Sequence, residues 1–230
     1  MTDMITTVIF DLDDTLYDEI DFCRSGFRAV ARQISALSNT HSADAAFDMA
    51  WALFESGNCT STFDAALRKL GIPVEPALIQ RLVEVYRTHA PTISLPSESR
   101  DILEELRDRY ALALLTDGYL PTQHLKVEAL DIQRYFKAIV YTEELGREHW
   151  KPSPVGFERL LEALNARPGE AVYVADNEAK DFIAPNRLGM LTIQVLRPHG
   201  QRRPAAPLPN AAPKHRIDTI GNLSKVLAEY

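Results

Sequence analysis

The sequence predicts an α/β protein in which a mostly parallel β-sheet carries helices on both faces. Strand-like and helix-like segments alternate through the second half of the chain, which is typical of parallel sheets. A short apolar strand stands alone near the amino terminus, and a long block of helical periodicity follows it. We therefore expect one α/β domain that is interrupted by a helical domain directly after its first strand.

The predicted strands and helices of the α/β part follow one another in a regular order. Apolar runs predict the strands, and segments with helical spacing predict the helices between them. The Pro-, Ala- and Arg-rich residues 199–214 predict an exposed loop before a last short strand and helix. The predicted strands cover residues 6–10, 111–115, 138–141, 171–175 and 191–196, and the helices lie around 102–106, at 121–130, at 154–164 and before Gly189.

Residues 18–90 form the helical block. Apolar residues recur at helical spacing in four segments, which predicts a small bundle of four helices. The run from Ser61 to Asp64 resembles a capping box at the start of the third helix, and Gly71 marks its end. We predict a helical domain at 18–90 inserted into an α/β domain made of residues 1–17 and 91–230.

Composition excludes several classes of function. The chain has 230 residues, 46% of them apolar, and a formal net charge of −7, which argues against a nucleic-acid partner held by bulk electrostatics. No apolar run reaches the length of a membrane span, and no leader pattern begins the sequence, so we expect a cytoplasmic protein without a membrane partner. Cys23 and Cys59 have no paired spacing and are interpreted as reduced thiols on helices.

Two carboxylates follow the first predicted strand. Asp11 ends the apolar run, and Asp13 lies on the same side of an extended chain two residues later. In open α/β sheets, ligands bind at this end of the strands. Two carboxylates about 4 Å apart repel by about 4 kcal/mol at an effective dielectric near 20, so a divalent cation is expected to offset them. Asp14 points to the other side and is assigned a structural or capping role.

Polar residues also follow three of the later predicted strands, just as Asp11 follows the first strand. Each short pattern taken singly is typical of an ordinary turn. Their order along the chain and their common placement after strands give them weight together. The three signals are Thr116-Asp117-Gly118, Lys151-Pro152, and Asp176 followed by Asp181.

These segments resemble the four motifs of the haloacid dehalogenase-like superfamily, whose first motif has the pattern Asp-x-Asp-x-Thr. The resemblance covers nearly the whole chain except residues 199–214. It implies a Rossmann-like core with a helical cap, and a magnesium-dependent phosphatase acting on a small phosphorylated metabolite such as a nucleotide or sugar phosphate. One departure is Ala175-Asp176, where the family usually has Gly-Asp, but the acid itself is retained.

The resemblance also implies roles for the matched residues. Asp11 would be the nucleophile that forms an aspartyl-phosphate, and Asp13 would protonate the leaving oxygen and later activate water. Lys151 would neutralise the charge of the nucleophile and of the phosphoryl group. The residues expected to bind the substrate are Thr116, Asp117, Gly118 and Lys151.

The same resemblance implies a magnesium site. Asp11, the backbone carbonyl of Asp13, and Asp176 would bind Mg²⁺, which prefers oxygen ligands. Asp181 is expected to support the surroundings of the metal and of Lys151 rather than bind the ion directly.

Alternatives within and outside this chemistry stay open. The 2-haloacid dehalogenases need neither a metal nor a leaving-group acid, so the presence of Asp13 favours a phosphatase. A phosphomutase would use the same acids, and a non-catalytic member that binds a phosphorylated ligand is a further alternative. We expect a monomer or a homodimer.

Overall fold

The computed structural model describes residues 4–37, 40–196 and 210–230. The chain divides into two compact units: one combines the residues up to Glu19 with Ser94–Tyr230, and the other is Ile20–Ile93. The strands are β1 (Thr7–Phe10), β2 (Ala111–Thr116), β3 (Ala138–Tyr141), β4 (Ala171–Ala175), β5 (Leu191–Val195) and β6 (His215–Ile217). The helices are α1 (Glu19–Leu37), α2 (Ala43–Glu55), α3 (Thr62–Lys69), α4 (Pro76–Thr88), α5 (Ser97–Arg107), α6 (Leu120–Ala129), α7 (Val155–Ala163), α8 (Ile183–Leu188) and α9 (Leu223–Leu227).

The six strands form one parallel sheet in the order β3-β2-β1-β4-β5-β6. The central strand β1 is level with both neighbours, because Phe10 pairs with Leu114 on β2 and with Val174 on β4. The residues that follow these three strands therefore meet at one edge of the sheet. The order reverses at β1, which is the place where α/β sheets of this kind bind ligands.

Helices cover both faces of the sheet, as predicted. On one face, Ile9, Leu115 and Tyr173 pack with Phe157 of α7 in a fully buried apolar cluster. Alternate residues of the same strands, such as Val8 and Leu112, point to the other face and are equally buried, and α5 packs against β2. Burial on both faces explains why the strands read as continuous apolar runs. The predicted fold class is confirmed.

The unit Ile20–Ile93 consists of α1 to α4 around its own aromatic core. Phe27 lies at the centre of this core, with ring centroids 5.2–5.8 Å from those of Trp51, Phe54, Phe63 and Tyr86. Aromatic pairs at these distances add to the stability gained from apolar burial. The compact unit extends from Ile20 to Ile93, whereas the helical domain was predicted at 18–90; the predicted domain boundaries stay a prediction.

Two local predictions in this unit are wrong. Ser61 does not form a capping box, because its Oγ donates to Asn58 Oδ1 at 3.0 Å and makes no bond to the start of α3. Cys59 is free and exposed in the turn before α3, whereas Cys23 is free and buried on α1 as expected.

The predicted loop at 199–214 falls mostly outside the described residues. Of its described part, Asn186 Nδ2 donates to the backbone carbonyls of Asn210 and Ala212. Among the described residues, no helix is both long and apolar enough to span a membrane.

Candidate active site

Asp11 extends the hydrogen-bonding of β1 by one residue, because its backbone N–H donates to the carbonyl of Val174 at 2.9 Å. This bond fixes the backbone that carries the carboxylate. The Asp11 side chain is buried, and its Oδ1 lies 2.7 Å from Lys151 Nζ. Burial raises the pKa of Asp11 to about 7, with Lys151 lowering it and Asp181 raising it. The Asp11 carboxyl group therefore changes its protonation state near neutral pH.

Lys151 is buried between several oxygen atoms. Its Nζ lies 2.7 Å from Asp11 Oδ1 and 2.7 Å from Asp181 Oδ1, and it donates to Tyr173 Oη at 3.0 Å. Burial alone would lower the pKa of Lys151, but the carboxylates Asp11 and Asp181 raise it well above its ordinary value. The lysine therefore stays charged.

Asp176 completes a carboxylate cluster. Ligand oxygens of Asp11, Asp176 and Asp181 all lie within 4.8 Å of one another. Burial and then repulsion from Asp11 and Asp181 raise the pKa of Asp176 to about 8. Carboxylate oxygens at this spacing are the donors that a hard divalent cation takes, and such a cation would relieve the repulsion. The residues present therefore fit magnesium.

The Asp13 carboxylate lies in a different environment. Its Oδ1 accepts hydrogen bonds from Tyr17 Oη at 2.6 Å and Lys126 Nζ at 2.7 Å, and its Oδ2 accepts one from Gln123 Nε2 at 2.9 Å. Burial would raise the pKa of Asp13, but the charge and hydrogen bonds of Lys126 lower it overall, with help from Tyr17 and Gln123. Lys126 Nζ also lies 3.1 Å from Glu19 Oε1.

The segment after β2 lies beside Asp13. Thr116 Oγ1 accepts a hydrogen bond from Gln123 Nε2 at 2.6 Å, so one amide group links Thr116 to Asp13. Gly118 has a φ of +138°, and a Cβ at this position would lie 2.9 Å from Gln123 Cδ. Glycine at 118 therefore permits both the turn and the approach of the amide. Asp117 Oδ1 accepts from the backbone N–H of Lys151 at 3.2 Å.

Asp14 makes the predicted capping contact, but it does not point away from Asp11 and Asp13 as expected, because it lines the same cavity. Its φ is +54°, and its Oδ1 accepts a hydrogen bond from the backbone N–H of Glu19 at 2.9 Å, at the first residue of α1. A carboxylate at a helix start satisfies a free N–H and interacts favourably with the helix dipole.

These side chains surround a cavity of about 110 Å³. Apart from Lys180, whose Nζ lies 3.6 Å from Asp117 Oδ2, its lining is mostly acidic. Of the residues predicted from the sequence, the structure brings Asp11, Asp13, Asp117 and Asp176 to this cavity, and Lys151 and Asp181 to Asp11. The lining residues are Asp11, Asp13, Asp14, Glu19, Asp117, Asp176, Asn177 and Lys180.

Sequence reasoning missed several residues that contact the acids. Gln123 and Lys126 are three residues apart on α6, a spacing that puts them on one helix face. Both are polar yet buried, a combination that only the structure reveals, because polar residues of a helix are usually exposed. Tyr173 is buried on β4 and reads as an ordinary core residue until its hydroxyl is seen at Lys151.

Comparisons with known proteins identify the family of this chain. A family model described as haloacid dehalogenase-like hydrolase matches residues 8–195. The chain is 33% identical to glyceraldehyde 3-phosphate phosphatase of Methanopyrus kandleri, with 84% of this chain and 85% of the relative covered. It is 27% identical to ribulose-1,5-bisphosphate 5-phosphatase of Halopiger xanaduensis, with 98% and 100% covered.

A solved structure has the same fold over the full length. It is a 2-haloacid dehalogenase from Pseudomonas syringae pv. tomato, 25% identical, with a TM-score of 0.65 and with 98% of this chain and 99% of that chain covered. The family match spans most of the sequence, including every residue of the candidate site, and it confirms the resemblance inferred from the motifs. The chain belongs to the haloacid dehalogenase-like hydrolases.

Proposed function

We propose that the protein is a magnesium-dependent phosphatase that hydrolyses a small phosphate monoester through an aspartyl-phosphate on Asp11. The enzyme class, a phosphoric monoester hydrolase, follows from the curated relatives and the family match. The observation that supports the mechanism most is the pair formed by Asp11 and Lys151, buried at 2.7 Å beside Asp176 and Asp181.

Asp11 is placed to attack a phosphorus atom in the cavity. Its carboxylate oxygen forms the new P–O bond while the bond to the leaving oxygen breaks, and the phosphoryl group stays on the enzyme. Lys151 offsets the charge of Asp11 and of the incoming phosphoryl group, and Thr116 offers its hydroxyl to a phosphoryl oxygen. When bound by Asp11, the Asp13 backbone carbonyl and Asp176, magnesium supplies further charge neutralisation.

Asp13 is assigned the proton transfers. The donors around Asp13 lower its pKa, so it acts as an acid only once a phosphate monoester, whose negative charge raises that pKa, binds beside it and Asp13 takes up a proton from solvent. The leaving oxygen takes this proton as it departs, and the resulting carboxylate then accepts a proton from the water that attacks the aspartyl-phosphate. Phosphate leaves and both aspartates return to their starting states. Asp117 takes part through its contact with the backbone of Lys151 rather than by proton transfer, and Asp181 by holding Lys151.

We also propose that the helical unit Ile20–Ile93 is a cap that selects the substrate. It is inserted between the acidic segment after β1 and the rest of the α/β unit. Its first helix carries two basic residues, Arg24 and Arg28, whose guanidinium groups lie over the rings of Trp51 and Phe47 respectively. A small metabolite as substrate, a cytoplasmic location, and a monomer or homodimer without nucleic-acid or membrane partners belong to the same proposal.

The test is hydrolysis of p-nitrophenyl phosphate and of a panel of phosphorylated metabolites at fixed magnesium, including glyceraldehyde 3-phosphate and ribulose 1,5-bisphosphate. We expect activity that EDTA abolishes and that Asp11→Asn removes. Asp108→Asn, at an exposed position away from the site, is the matched control. Absence of activity on the whole panel would favour a non-catalytic, ligand-binding protein. A product in which the phosphoryl group has moved to another hydroxyl of the same substrate would indicate a phosphomutase.

A 2-haloacid dehalogenase is the second candidate, because one of the structural relatives carries that activity in its name. The hydrogen bonds that hold Asp13 in place favour the phosphatase, since dehalogenation needs no leaving-group acid. Halide release from 2-chloropropionate without magnesium would reverse this preference.

A further inference from the structure

A second buried lysine lies beside the site and has no part in the roles described so far. Lys126 projects from α6 with only 3% of its side chain exposed. Its Nζ is 2.7 Å from Asp13 Oδ1 and 3.1 Å from Glu19 Oε1. Removing an ammonium group from water costs several kcal/mol unless it is well paired. The chain therefore maintains a costly charge next to Asp13.

The two oxygens of Asp13 are held differently. Oδ1 accepts from both Lys126 Nζ and Tyr17 Oη, whereas Oδ2 accepts from the amide of Gln123 alone among the described residues. Two strong donors fill Oδ1 and orient the carboxyl group. Gln123 Nε2 carries two hydrogens, and its second bond goes to Thr116 Oγ1. Oδ2 is thereby held toward the residue that we expect to contact the phosphoryl group.

We propose that Lys126 is a positioning residue for proton transfer. Together with Tyr17 it occupies Oδ1 of Asp13, so that Oδ2 is the oxygen that gives its proton to the leaving oxygen as the P–O bond breaks. The same Oδ2 then takes a proton from the attacking water. This inference rests on the proposed function, because it assumes that Asp13 is the general acid and base.

A structural role for Lys126 is the competing explanation, since its contact with Glu19 also ties α6 to the segment that follows Asp13 within the α/β unit. The two explanations differ in how the rate depends on the leaving group. A nitrophenolate leaves without a proton, whereas the alkoxide of a simple alkyl phosphate needs one. General acid catalysis contributes about 10²–10⁴-fold only where the proton is needed.

The experiment compares Lys126→Met with wild type on p-nitrophenyl phosphate and on an alkyl phosphate that the wild type hydrolyses. We expect kcat/KM for the alkyl phosphate to fall by about 100-fold or more, and kcat/KM for the nitrophenyl ester to change by less than about tenfold. For the nitrophenyl ester kcat and KM should fall together, because slow hydrolysis of the aspartyl-phosphate makes the phosphoenzyme accumulate during turnover. An acid quench then traps this phosphoenzyme for detection.

Two further variants keep the test decisive. Tyr17→Phe removes only a hydroxyl from Oδ1 and should show the same selective loss in weaker form, even if Lys126→Met folds poorly. Lys137→Met changes an exposed lysine before β3 and should leave both rates unchanged. An equal loss on both substrates in Lys126→Met or Tyr17→Phe, or no loss in a folded Lys126→Met, would overturn the role of Lys126 while the proposed function stands. A wild type that is inactive on both phosphates would contradict the proposed function itself.

Discussion

Two buried lysines flank the acidic segment after β1, and each is shared by two carboxylates. On the Lys151 side, the partners are Asp11 and Asp181, both at 2.7 Å. On the Lys126 side, they are Asp13 at 2.7 Å and Glu19 at 3.1 Å. The pairs look alike, yet the pKa of Asp11 is raised to about 7 and the pKa of Asp13 is lowered.

The difference comes from what else surrounds each carboxylate. Burial raises the pKa of Asp11 most and repulsion from Asp181 adds to it, and the attraction of Lys151 and Lys180 does not offset these two effects. Asp13 instead receives neutral donors from Tyr17 and Gln123 in addition to its lysine. The Lys151 side is thus short of positive charge and suited to a cation and a nucleophile. The Lys126 side is suited to holding the Asp13 carboxyl group in a fixed orientation, and the repulsion there falls on Glu19, whose pKa Asp13 raises.

The largest effect is expected from changing the nucleophile. Asp11→Asn should lower phosphatase activity by about 10⁴-fold or more, because an amide cannot form the aspartyl-phosphate. Steady-state hydrolysis of p-nitrophenyl phosphate measures it. Activity that survives this change would show that another residue is the nucleophile. The separate roles proposed for the Lys151 side and the Lys126 side would then be wrong.

Removing either lysine tests whether Lys151 and Lys126 contribute equally to the stability of the folded protein. Lys151→Met should destabilise the protein by about 3–5 kcal/mol, since it leaves Asp11 and Asp181 buried without a cation. It should also lower activity by about 100- to 1,000-fold on every substrate, as loss of a charge-stabilising group does.

Urea unfolding and kinetics of Lys151→Met and Lys126→Met, compared in parallel, provide the measurement. The lysines differ if only Lys126→Met spares p-nitrophenyl phosphate. Uniform loss in both variants would mean that the contrast between the two sides is not functional.

The dependence of stability on pH should reveal the shortage of positive charge near Lys151. The pKa values of about 7 for Asp11 and about 8 for Asp176 lie above the ordinary value of 3.8. Between about pH 4 and pH 8, the folded protein therefore binds more protons than the unfolded chain, and its metal-free stability falls as pH rises. The lowered pKa of Asp13 acts in the opposite direction, but only as pH falls through about 4 and below.

Magnesium should cancel this loss by taking the place of the protons. Thermal unfolding with EDTA should show a midpoint that decreases from pH 5.5 to pH 8, and the gain from added magnesium should be larger at pH 8. An equal gain at both pH values would contradict the assignment of Asp11 and Asp176 as ligands.

The smallest effect is expected at Gly118, on the Lys126 side. Gly118→Ala combines an unfavourable φ of +138° with a Cβ only 2.9 Å from Gln123 Cδ, so about 1–3 kcal/mol of stability should be lost. Gly57→Ala is the matched control, because Gly57 has a φ of +91° and no atom within 4 Å of the added Cβ. Both variants should lose stability, but only Gly118→Ala should lose activity. Equal activity in the two variants would show that the position of Gln123 does not matter for catalysis.

The sequence predicted the Lys151 side better than the Lys126 side, and the reason is physical. Asp11 and Asp176 directly follow strands, and parallel strands bring their carboxyl ends to one edge whatever the details of packing. Lys126 and Gln123 lie on a helix, where the choice of neighbour depends on how α6 docks on the sheet. A polar residue in a helix reads as solvent-exposed until that docking is known.

Local patterns were also weaker guides than strand ends. The Ser61 capping box is not formed, because Asn58 Oδ1 accepts hydrogen bonds from both the hydroxyl and the backbone N–H of Ser61, and this N–H is the donor that Asp64 would have to engage. For Asp14 the capping role was predicted but its side of the chain was not: its φ of +54° breaks the extended alternation, and it lines the same cavity as Asp11 and Asp13. Its carboxylate caps the start of α1.

The central claim is that Asp11 carries the phosphoryl group while Asp13 moves protons. The most direct measurement is mass spectrometry of Asp13→Asn, acid-quenched during turnover of p-nitrophenyl phosphate with magnesium. We expect the peptide spanning residues 8–16 to gain the mass of one phosphoryl group, located on Asp11. A phosphoryl group on any other residue, or turnover by this variant without a trapped intermediate at any quench time, would contradict it.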